Sequence, residues 1–279
     1  MDSMLHAPAG APSEALAATR SAYLAALRQR VIEVSYLAKS AHLGSSLSCI
    51  EILDCIIRAS GLTPENMTAP HRPRLVMSKG HAAMAFYAAL EAWGLIPKTH
   101  LDRYLQDGTA LWGHVTRSSA VPAIDVSTGS LGHGLGLTAG YALGYRLRGW
   151  TARSFCVLSD GECDEGSTWE AILFAGHHRL SNMVAIVDYN KIQSIDRVSN
   201  VLELEPFADK WRSFNWTVRE VDGHAPWAMD AVLGAPATDR PLVVIAHTVK
   251  GKGVPRVENT VASHYYPARE SDRTGHANA

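Results

Sequence analysis

The sequence predicts an α/β fold in which helices cover both faces of a mostly parallel sheet. Short, wholly apolar segments of strand length alternate with longer segments of helical periodicity, which is typical of such sheets. With 279 residues, of which 47% are hydrophobic, the chain can bury the core of one large domain. We predict a flexible tail over residues 1–12, the domain over 13–268 and a polar tail over 269–279.

The first part of the domain is predicted to be mainly helical. Ser13 can cap the first helix, a proline-rich loop spans 63–73, and the irregular stretch 99–126 is assigned to loops with short helices. In chain order the elements are helices over 13–39 and 48–59, a strand over 74–77 and a helix over 82–93.

The second part alternates strands and helices. A glycine-rich turn over 127–134 leads into a helix that runs to residue 148. The elements that follow are a strand over 155–158, a helix over 165–180 and strands over 183–187 and 241–246. The first three of these form a βαβ unit, so their two strands should be parallel.

Composition and charge exclude several classes of function. The formal net charge is −1, so no general field attracts nucleic acid or an anionic membrane surface. No apolar run approaches the roughly 20 residues of a membrane helix. The four cysteines form neither a CxxC pair nor a zinc-binding pattern, which argues against a disulfide scaffold and against a structural zinc site. Free cysteines are typical of a reducing cytoplasm, where we expect this protein to be located.

Two polar residues follow two of the predicted strands directly. Asp160 comes after the strand 155–158, and Asn190 comes after the strand 183–187. The carboxyl ends of parallel strands meet at one edge of a sheet, so these side chains should lie close together. A carboxylate, an amide and nearby carbonyls suit Mg²⁺ or Ca²⁺ better than zinc. The structural alternative is that Asp160 caps a helix and Asn190 fills a turn.

The sequence around these residues resembles a known signature. Asp160-Gly-Glu-Cys-Asp-Glu-Gly166, followed by Asp188-Tyr-Asn-Lys-Ile-Gln193, is similar to the thiamine-diphosphate motif, in which an Asp-Gly pair precedes an Asn at this spacing. The chain looks like the N-terminal domain of transketolases, which binds the cofactor's diphosphate, over roughly residues 42–264. The resemblance implies thiamine diphosphate as cofactor, with Mg²⁺ or Ca²⁺ held by Asp160, Asn190 and the backbone carbonyl of Ile192.

Further motifs carry the resemblance and imply the other site residues. These motifs are Ala41-His-Leu-Gly-Ser45, Ser78-Lys-Gly-His81, Trp112-Gly-His114, Gly129-Ser-Leu-Gly-His-Gly134 and Lys250-Gly-Lys-Gly253 with His264. The implied catalytic residues are His42, His81, His114 and His264. The implied cofactor-binding residues are Ser45, His81, Gly129, Ser130, Leu131, Gly161, Glu165, Asn190, Lys250 and His264. By contrast, His100, His224 and His247 are interpreted as polar residues satisfied near turns or strand ends.

The resemblance also implies a reaction and a partner. Transketolases move a two-carbon ketol unit from a ketose, often a sugar phosphate, to an aldose, and an acidic residue of a second domain activates the aminopyrimidine. This chain ends at Ala279, so we expect a split enzyme whose C-terminal subunit carries the pyrimidine-binding domain, in an α2β2 assembly. Two alternatives remain open, the α subunit of a 2-oxo acid dehydrogenase and a non-catalytic cofactor-binding subunit.

Overall fold

A five-stranded parallel sheet runs through the computed structural model, which describes residues 14–274. The strands are β1 (Arg74–Met77), β2 (Ser154–Ser159), β3 (Met183–Tyr189), β4 (Thr217–Asp222) and β5 (Leu242–His247). Their spatial order is β1-β2-β3-β5-β4, and every neighbouring pair is parallel. The predicted parallel sheet is confirmed, whereas the predicted tail over 1–12 and the proposed cap Ser13 lie outside the described residues.

Helices account for most of the remaining regular structure. They are α1 (Glu14–Ala38), α2 (Leu43–Leu47), α3 (Ile50–Ser60), α4 (Ala83–Ala92), α5 (Lys98–Asp102), α6 (Gly134–Leu147), α7 (Gly166–His177), α8 (Val198–Val201), α9 (Phe207–Ser213), α10 (Pro226–Leu233) and α11 (Glu270–Thr274). The predicted long helices match α1, α3, α4, α6 and α7 to within three residues at each end.

The two faces of the sheet bury separate apolar clusters. Side chains alternate between the faces of a strand, so Phe155 and Val157 face one cluster while Cys156 and Leu158 face the other. Helices α1, α3, α4 and α10 contribute buried residues to the first cluster, and α6, α7 and α9 contribute to the second. The prediction of helices on both faces is therefore confirmed.

Strand β4 was absent from the predicted elements. Its sequence, Thr-Val-Arg-Glu-Val-Asp, is polar because it lies at the edge of the sheet and pairs only with β5. Of its six residues only Val218 is fully buried, so the apolar run that marks a central parallel strand is missing. The short helices α8, α9 and α10 around this strand were not predicted either.

The polar segment after residue 268 begins with helix α11, which lies against α1. Arg273 forms an ion pair with Glu33 at 3.6 Å, and Asp272 is buried where the hydroxyl of Tyr266 donates to it at 2.8 Å. Residues 275–279 lie outside the described part of the chain. The domain boundary at residue 268 stays a prediction.

All four cysteines are free and buried. Burial raises the pKa of the thiols of Cys49, Cys55, Cys156 and Cys163. Among the helices of residues 14–274, none combines the length and the apolar character that a membrane crossing requires.

Candidate active site

The tips of strands β2 and β3 bring Asp160 and Asn190 together. Ser159 at the end of β2 pairs with Asp188 of β3, so the residues that follow the two strands emerge side by side. The Asp160 carboxylate reaches across the gap and accepts a hydrogen bond from the backbone N–H of Lys191 at 2.5 Å. Both side chains are buried, at 1% and 7% exposure. Asp160 and Asn190 therefore lie close together, as their positions after two neighbouring strands predict.

The oxygen atoms at these tips suit a hard cation. The Asn190 side-chain oxygen accepts from the N–H of Ile192 at 3.1 Å, and the Ile192 carbonyl accepts from the ammonium of Lys250 at 2.8 Å. That carbonyl therefore already faces a cation. A carboxylate, an amide oxygen and a main-chain carbonyl are ligands that Mg²⁺ and Ca²⁺ prefer, so the residues present fit a divalent metal.

The capping role of Asp160 is present as well. Its second oxygen accepts from the N–H of Gly161 at 2.7 Å and begins a short 3₁₀ turn over Gly161–Asp164. An ionised carboxylate has about four acceptor positions, so two backbone donors leave lone pairs for a metal. Burial, and then the nearby charge of Asp188, raise the pKa of Asp160 to about 7. A bound cation would favour the ionised form of this carboxylate.

Gly161 lines the cavity and also has a packing role. In the structure a Cβ at this position would meet Cγ of Gln193 at 2.9 Å, so the glycine makes room for that side chain. Gln193 in turn donates to Asp164 at 2.6 Å, which ties the 3₁₀ turn after β2 to the loop after β3.

A cavity of about 230 Å³ opens above the strand tips. It is lined by the predicted residues His42, Ser45, His81, His114, Gly129, Leu131, Asp160, Gly161, Asn190, Ile192, Lys250 and His264. Lys79, Ser159, Gln193, Ser194 and Tyr265 complete the lining. Two predicted cofactor contacts, Ser130 and Glu165, are exposed and lie outside this lining.

Four imidazoles crowd one side of the cavity. The ring centre of His42 lies 5.5 Å from that of His81, 5.7 Å from His114 and 5.1 Å from His264. His81 and His264 are 5.2 Å apart. The four residues come from distant parts of the sequence, so the fold assembles the cluster that the motifs imply.

Burial keeps three of these imidazoles, His42, His81 and His264, neutral. Burial lowers the pKa of His42 to about 4 and that of His264 to about 3, helped by the positive charge of Lys250. Burial, and then Lys79, lower the pKa of His81 well below its usual value. A neutral imidazole has one N–H donor and one acceptor nitrogen, so each ring can exchange protons with a hydroxyl group.

We expect the free chain to lose stability as the pH falls from 7 to 5. The unfolded chain protonates histidine near pH 6.5, whereas the folded chain keeps His42 neutral down to about pH 4. The unfolded state then binds more protons, which lowers its free energy relative to that of the native state. Replacing His42→Asn removes this site, and asparagine tolerates the backbone φ of 69° at that position. The Tm difference between pH 7 and pH 5 should shrink in the variant.

The matched control for this prediction is His177→Asn at an exposed position of α7. It should leave the Tm difference as it is in the wild type. An equal or larger pH effect in His42→Asn would contradict the assignment of a buried neutral imidazole.

A tight turn after β1 brings two loops of the cavity together. A Cβ at Gly80 would meet the backbone N of Gly129 at 2.7 Å, so only glycine allows this approach. Thr128 reinforces it, because its hydroxyl donates to the Met77 carbonyl at 2.7 Å. The turn therefore places His81 beside the glycine-rich loop.

A buried ion pair below the cavity was missed by sequence reasoning. Lys79 and Asp188 are both fully buried and directly paired. Burial opposes both charges, but each charge stabilises the charged form of its partner. The pKa of Lys79 is therefore raised and that of Asp188 is lowered. Asp188 also accepts from Ser48 at 2.5 Å and from the hydroxyl of Thr248. The sequence indicates this pair only by placing a charged residue in each of two motifs, Ser78-Lys-Gly-His81 and Asp188-Tyr-Asn190.

Glu162 is a second buried acid that was missed. Its carboxylate accepts from the Ser78 hydroxyl and from the N–H of Gly132 at 2.9 Å, while its other oxygen has no hydrogen-bond partner among the described residues. Burial raises its pKa. The residue links the turn after β1, the glycine-rich loop and the turn after β2, which together form the cavity wall.

A larger depression of about 950 Å³ lies beside β1 and contains none of the predicted site residues. Among the described residues, its one acid is already occupied, because Arg72 and Arg74 both bind Asp125, at 2.6 and 2.7 Å, and no histidine lines it. We therefore assign the candidate site to the smaller cavity, where lone pairs and imidazoles converge.

Comparison with known proteins agrees with this geometry. Residues 19–276 match the family described as "Transketolase, thiamine diphosphate binding domain". The chain is 40% identical to the 6-deoxy-6-sulfo-D-fructose transketolase subunit SqwG of a Clostridium species, over 80% of this chain and 82% of that protein. It is 35% identical to a subunit of the apulose-4-phosphate transketolase of Phocaeicola vulgatus, over 85% of each chain.

Solved structures agree as well. The transketolase of Campylobacter jejuni superposes with a TM-score of 0.78 at 28% identity, covering 89% of this chain and 40% of that one. The chain thus spans about 40% of the length of that solved enzyme. These relatives favour the transketolase prediction over the 2-oxo acid dehydrogenase alternative. This chain belongs to the family of transketolase thiamine diphosphate binding domains.

Proposed function

We propose that this chain is the N-terminal subunit of a split transketolase. The assembled enzyme would transfer a two-carbon ketol unit from a ketose, or ketose phosphate, to an aldose acceptor in the cytoplasm. The observation that carries the proposal is the meeting of one hard oxygen set with four imidazoles around one cavity. An oxygen set alone fits any metal site, but the imidazoles add proton-transfer groups at the same place.

The strand tips would hold the metal and the diphosphate. Asp160, Asn190 and the carbonyl of Ile192 would ligate Mg²⁺ or Ca²⁺, and the ammonium of Lys250 beside them would face the phosphate oxygens. One acid on the protein leaves positive charge on the metal, which a diphosphate neutralises. Gly161, Ser45 and the loop Gly129–Leu131 are proposed to line the cofactor, and Ser130 and Glu165 are retained in this role despite lying outside the cavity lining.

The imidazoles would manage protons during the reaction. Thiamine diphosphate, when bound, supplies a thiazolium ring that stores the electrons of the cleaved carbon–carbon bond. His42, His81, His114 and His264 would accept protons from substrate hydroxyls at a free ring nitrogen and return them from the same atom. Burial keeps that nitrogen unprotonated in His42, His81 and His264 at neutral pH.

The second half of the site is proposed to come from a partner. A separate C-terminal subunit would supply the pyrimidine-binding domain and the acidic residue that activates the aminopyrimidine. Several relatives of similar length are named as transketolase subunits, which supports a two-chain enzyme. An α2β2 assembly is the arrangement that we propose.

We expect ketol transfer only from the two-chain complex. The partner is identified by co-purification from the native cell, and turnover of ketose phosphates is compared with turnover of pyruvate and branched 2-oxo acids. The complex should act on the ketoses, and chelation of divalent metal should abolish this activity until Mg²⁺ is restored. The single chain should bind cofactor weakly and turn over little or nothing.

Two outcomes would defeat this proposal. One is ketol transfer by the rigorously purified single chain, which would remove the need for a partner. The other is a complex that binds thiamine diphosphate but turns over no ketose, which would favour a non-catalytic cofactor-binding role or oxo acid chemistry.

A further inference from the structure

The segment that carries Lys250 is held in place from both sides. Toward the cavity, the Lys250 ammonium donates to the Ile192 carbonyl at 2.8 Å and lies 3.1 Å from Nδ1 of His264. Away from the cavity, the N–H of the preceding residue, Val249, donates to Nε2 of His224 at 2.8 Å. His224 follows β4 and lies outside the cavity lining.

This contact determines the tautomer of His224. A backbone N–H can only donate, so Nε2 must be the unprotonated nitrogen of the ring. The proton of a neutral ring then lies on Nδ1, which is 3.0 Å from a carboxylate oxygen of Glu51. Glu51 is itself buried and paired with Arg28, and this pairing fixes the direction in which the ring points.

Arg28 binds the same segment two residues further on. Its guanidinium donates to the carbonyl of Lys252 at 2.9 Å and to that of Leu47 at 2.9 Å. The N–H of Gly251 donates to the Gly44 carbonyl at 3.0 Å. The backbone on both sides of Lys250 is thus attached to buried groups of α1, α2 and α3.

We propose that His224 is a positioning residue for Lys250, acting through the Nε2 contact with the Val249 amide. The ring accepts a hydrogen bond from the N–H of Val249, the residue directly before Lys250, and Glu51 keeps the ring in the accepting tautomer. This inference rests on the proposed function, because it assigns Lys250 to the diphosphate side of the site. The interpretation of His224 as a merely satisfied polar residue would make the Val249 contact dispensable for binding.

Two substitutions distinguish the role of Nε2 from that of Nδ1. In His224→Gln the side-chain oxygen can reach the place of Nε2 and accept from Val249, whereas in His224→Asn the shorter amide can replace only Nδ1 and contact Glu51. The probe is inorganic pyrophosphate with Mg²⁺, titrated calorimetrically into the complex of this chain with its partner subunit. We expect the Gln variant to bind like the wild type and the Asn variant to bind about 10-fold more weakly, the effect typical of a lost supporting hydrogen bond.

Two further measurements separate positioning from stability. Hydrogen exchange at the Val249 amide should be faster in the Asn variant than in the Gln variant and the wild type. In the complex with the partner subunit, the Asn variant should need more thiamine diphosphate for half-maximal activity but reach nearly the wild-type kcat when saturated.

Several results would overturn the inference. The inference is wrong if both variants bind pyrophosphate with equal affinity, or if the Val249 exchange rate is unchanged in the Asn variant. It is also wrong if neither variant folds. If the wild-type complex with the partner subunit does not bind Mg²⁺–pyrophosphate, the proposed function fails instead, and the Val249 exchange rates still report whether His224 holds the segment.

Discussion

Asp160→Asn will lower the affinity of the assembled enzyme for Mg²⁺ and thiamine diphosphate by at least about 100-fold, because it removes the anionic ligand proposed for the metal. Turnover at ordinary cofactor concentrations should fall with it. The free chain should change much less in stability. The substitution removes a buried charge whose pKa is raised to about 7, but it also turns an N–H₂ group toward one of two backbone donors, Gly161 or Lys191. These effects oppose each other, so the free energy of unfolding should shift by no more than about 1.5 kcal/mol.

Calorimetry with Mg²⁺ and cofactor, together with urea unfolding of the free chain, checks this prediction. The matched control is Asp209→Asn, which removes an exposed carboxylate on α9 that pairs with Arg212 at the surface. It should change neither affinity nor stability noticeably. Cofactor affinity that survives in Asp160→Asn would show that the metal is held elsewhere, and the proposed function would have to be abandoned.

Asp188→Ala should destabilise the chain by about 3 to 5 kcal/mol, the usual effect of leaving a buried charge without its partner. Among residues 14–274, only the Ser45 carbonyl, at 3.0 Å, would remain to accept a hydrogen bond from the Lys79 ammonium. Ser48 and Thr248 would lose an acceptor as well. The double variant Lys79→Met with Asp188→Ala should recover part of this loss, since neither charge is then buried alone.

Urea unfolding of the single and double variants measures both effects. The control is Asp239→Ala, which breaks an ion pair with Arg179 whose side chains are 67% and 66% exposed. Such a pair contributes less than about 1 kcal/mol. If Asp188→Ala were no more costly than Asp239→Ala, the Lys79–Asp188 pair would not support the floor of the cavity.

Part of this architecture follows from sequence because the physical signals are local. The central strands β2, β3 and β5 are buried on both faces, so they read as unbroken apolar runs. Parallel pairing of neighbouring strands then places Asp160 beside Asn190 without further information. The roles of the histidines depended on the motifs and the family resemblance, and they stay proposals.

The remainder depends on contacts between distant segments. Strand β4 is polar because it is an edge, and nothing in its sequence distinguishes it from a loop. The pairing of Lys79 with Asp188 joins residues 109 positions apart, and that of His224 with Glu51 joins residues 173 positions apart. Each of these side chains is ordinary in its own sequence context. The environment that defines it exists only after the sheet and the first three helices have packed.

Because all four cysteines are buried, we expect the native protein not to react with thiol reagents. The thiolate is the nucleophile that reacts with maleimide and disulfide reagents, and burial with a raised pKa keeps Cys49, Cys55, Cys156 and Cys163 both inaccessible and protonated. One cysteine introduced at an exposed position would therefore take up a fluorophore or spin label by itself. Labels placed around the rim of the cavity would then test whether the proposed partner subunit docks there, without removal of any native cysteine.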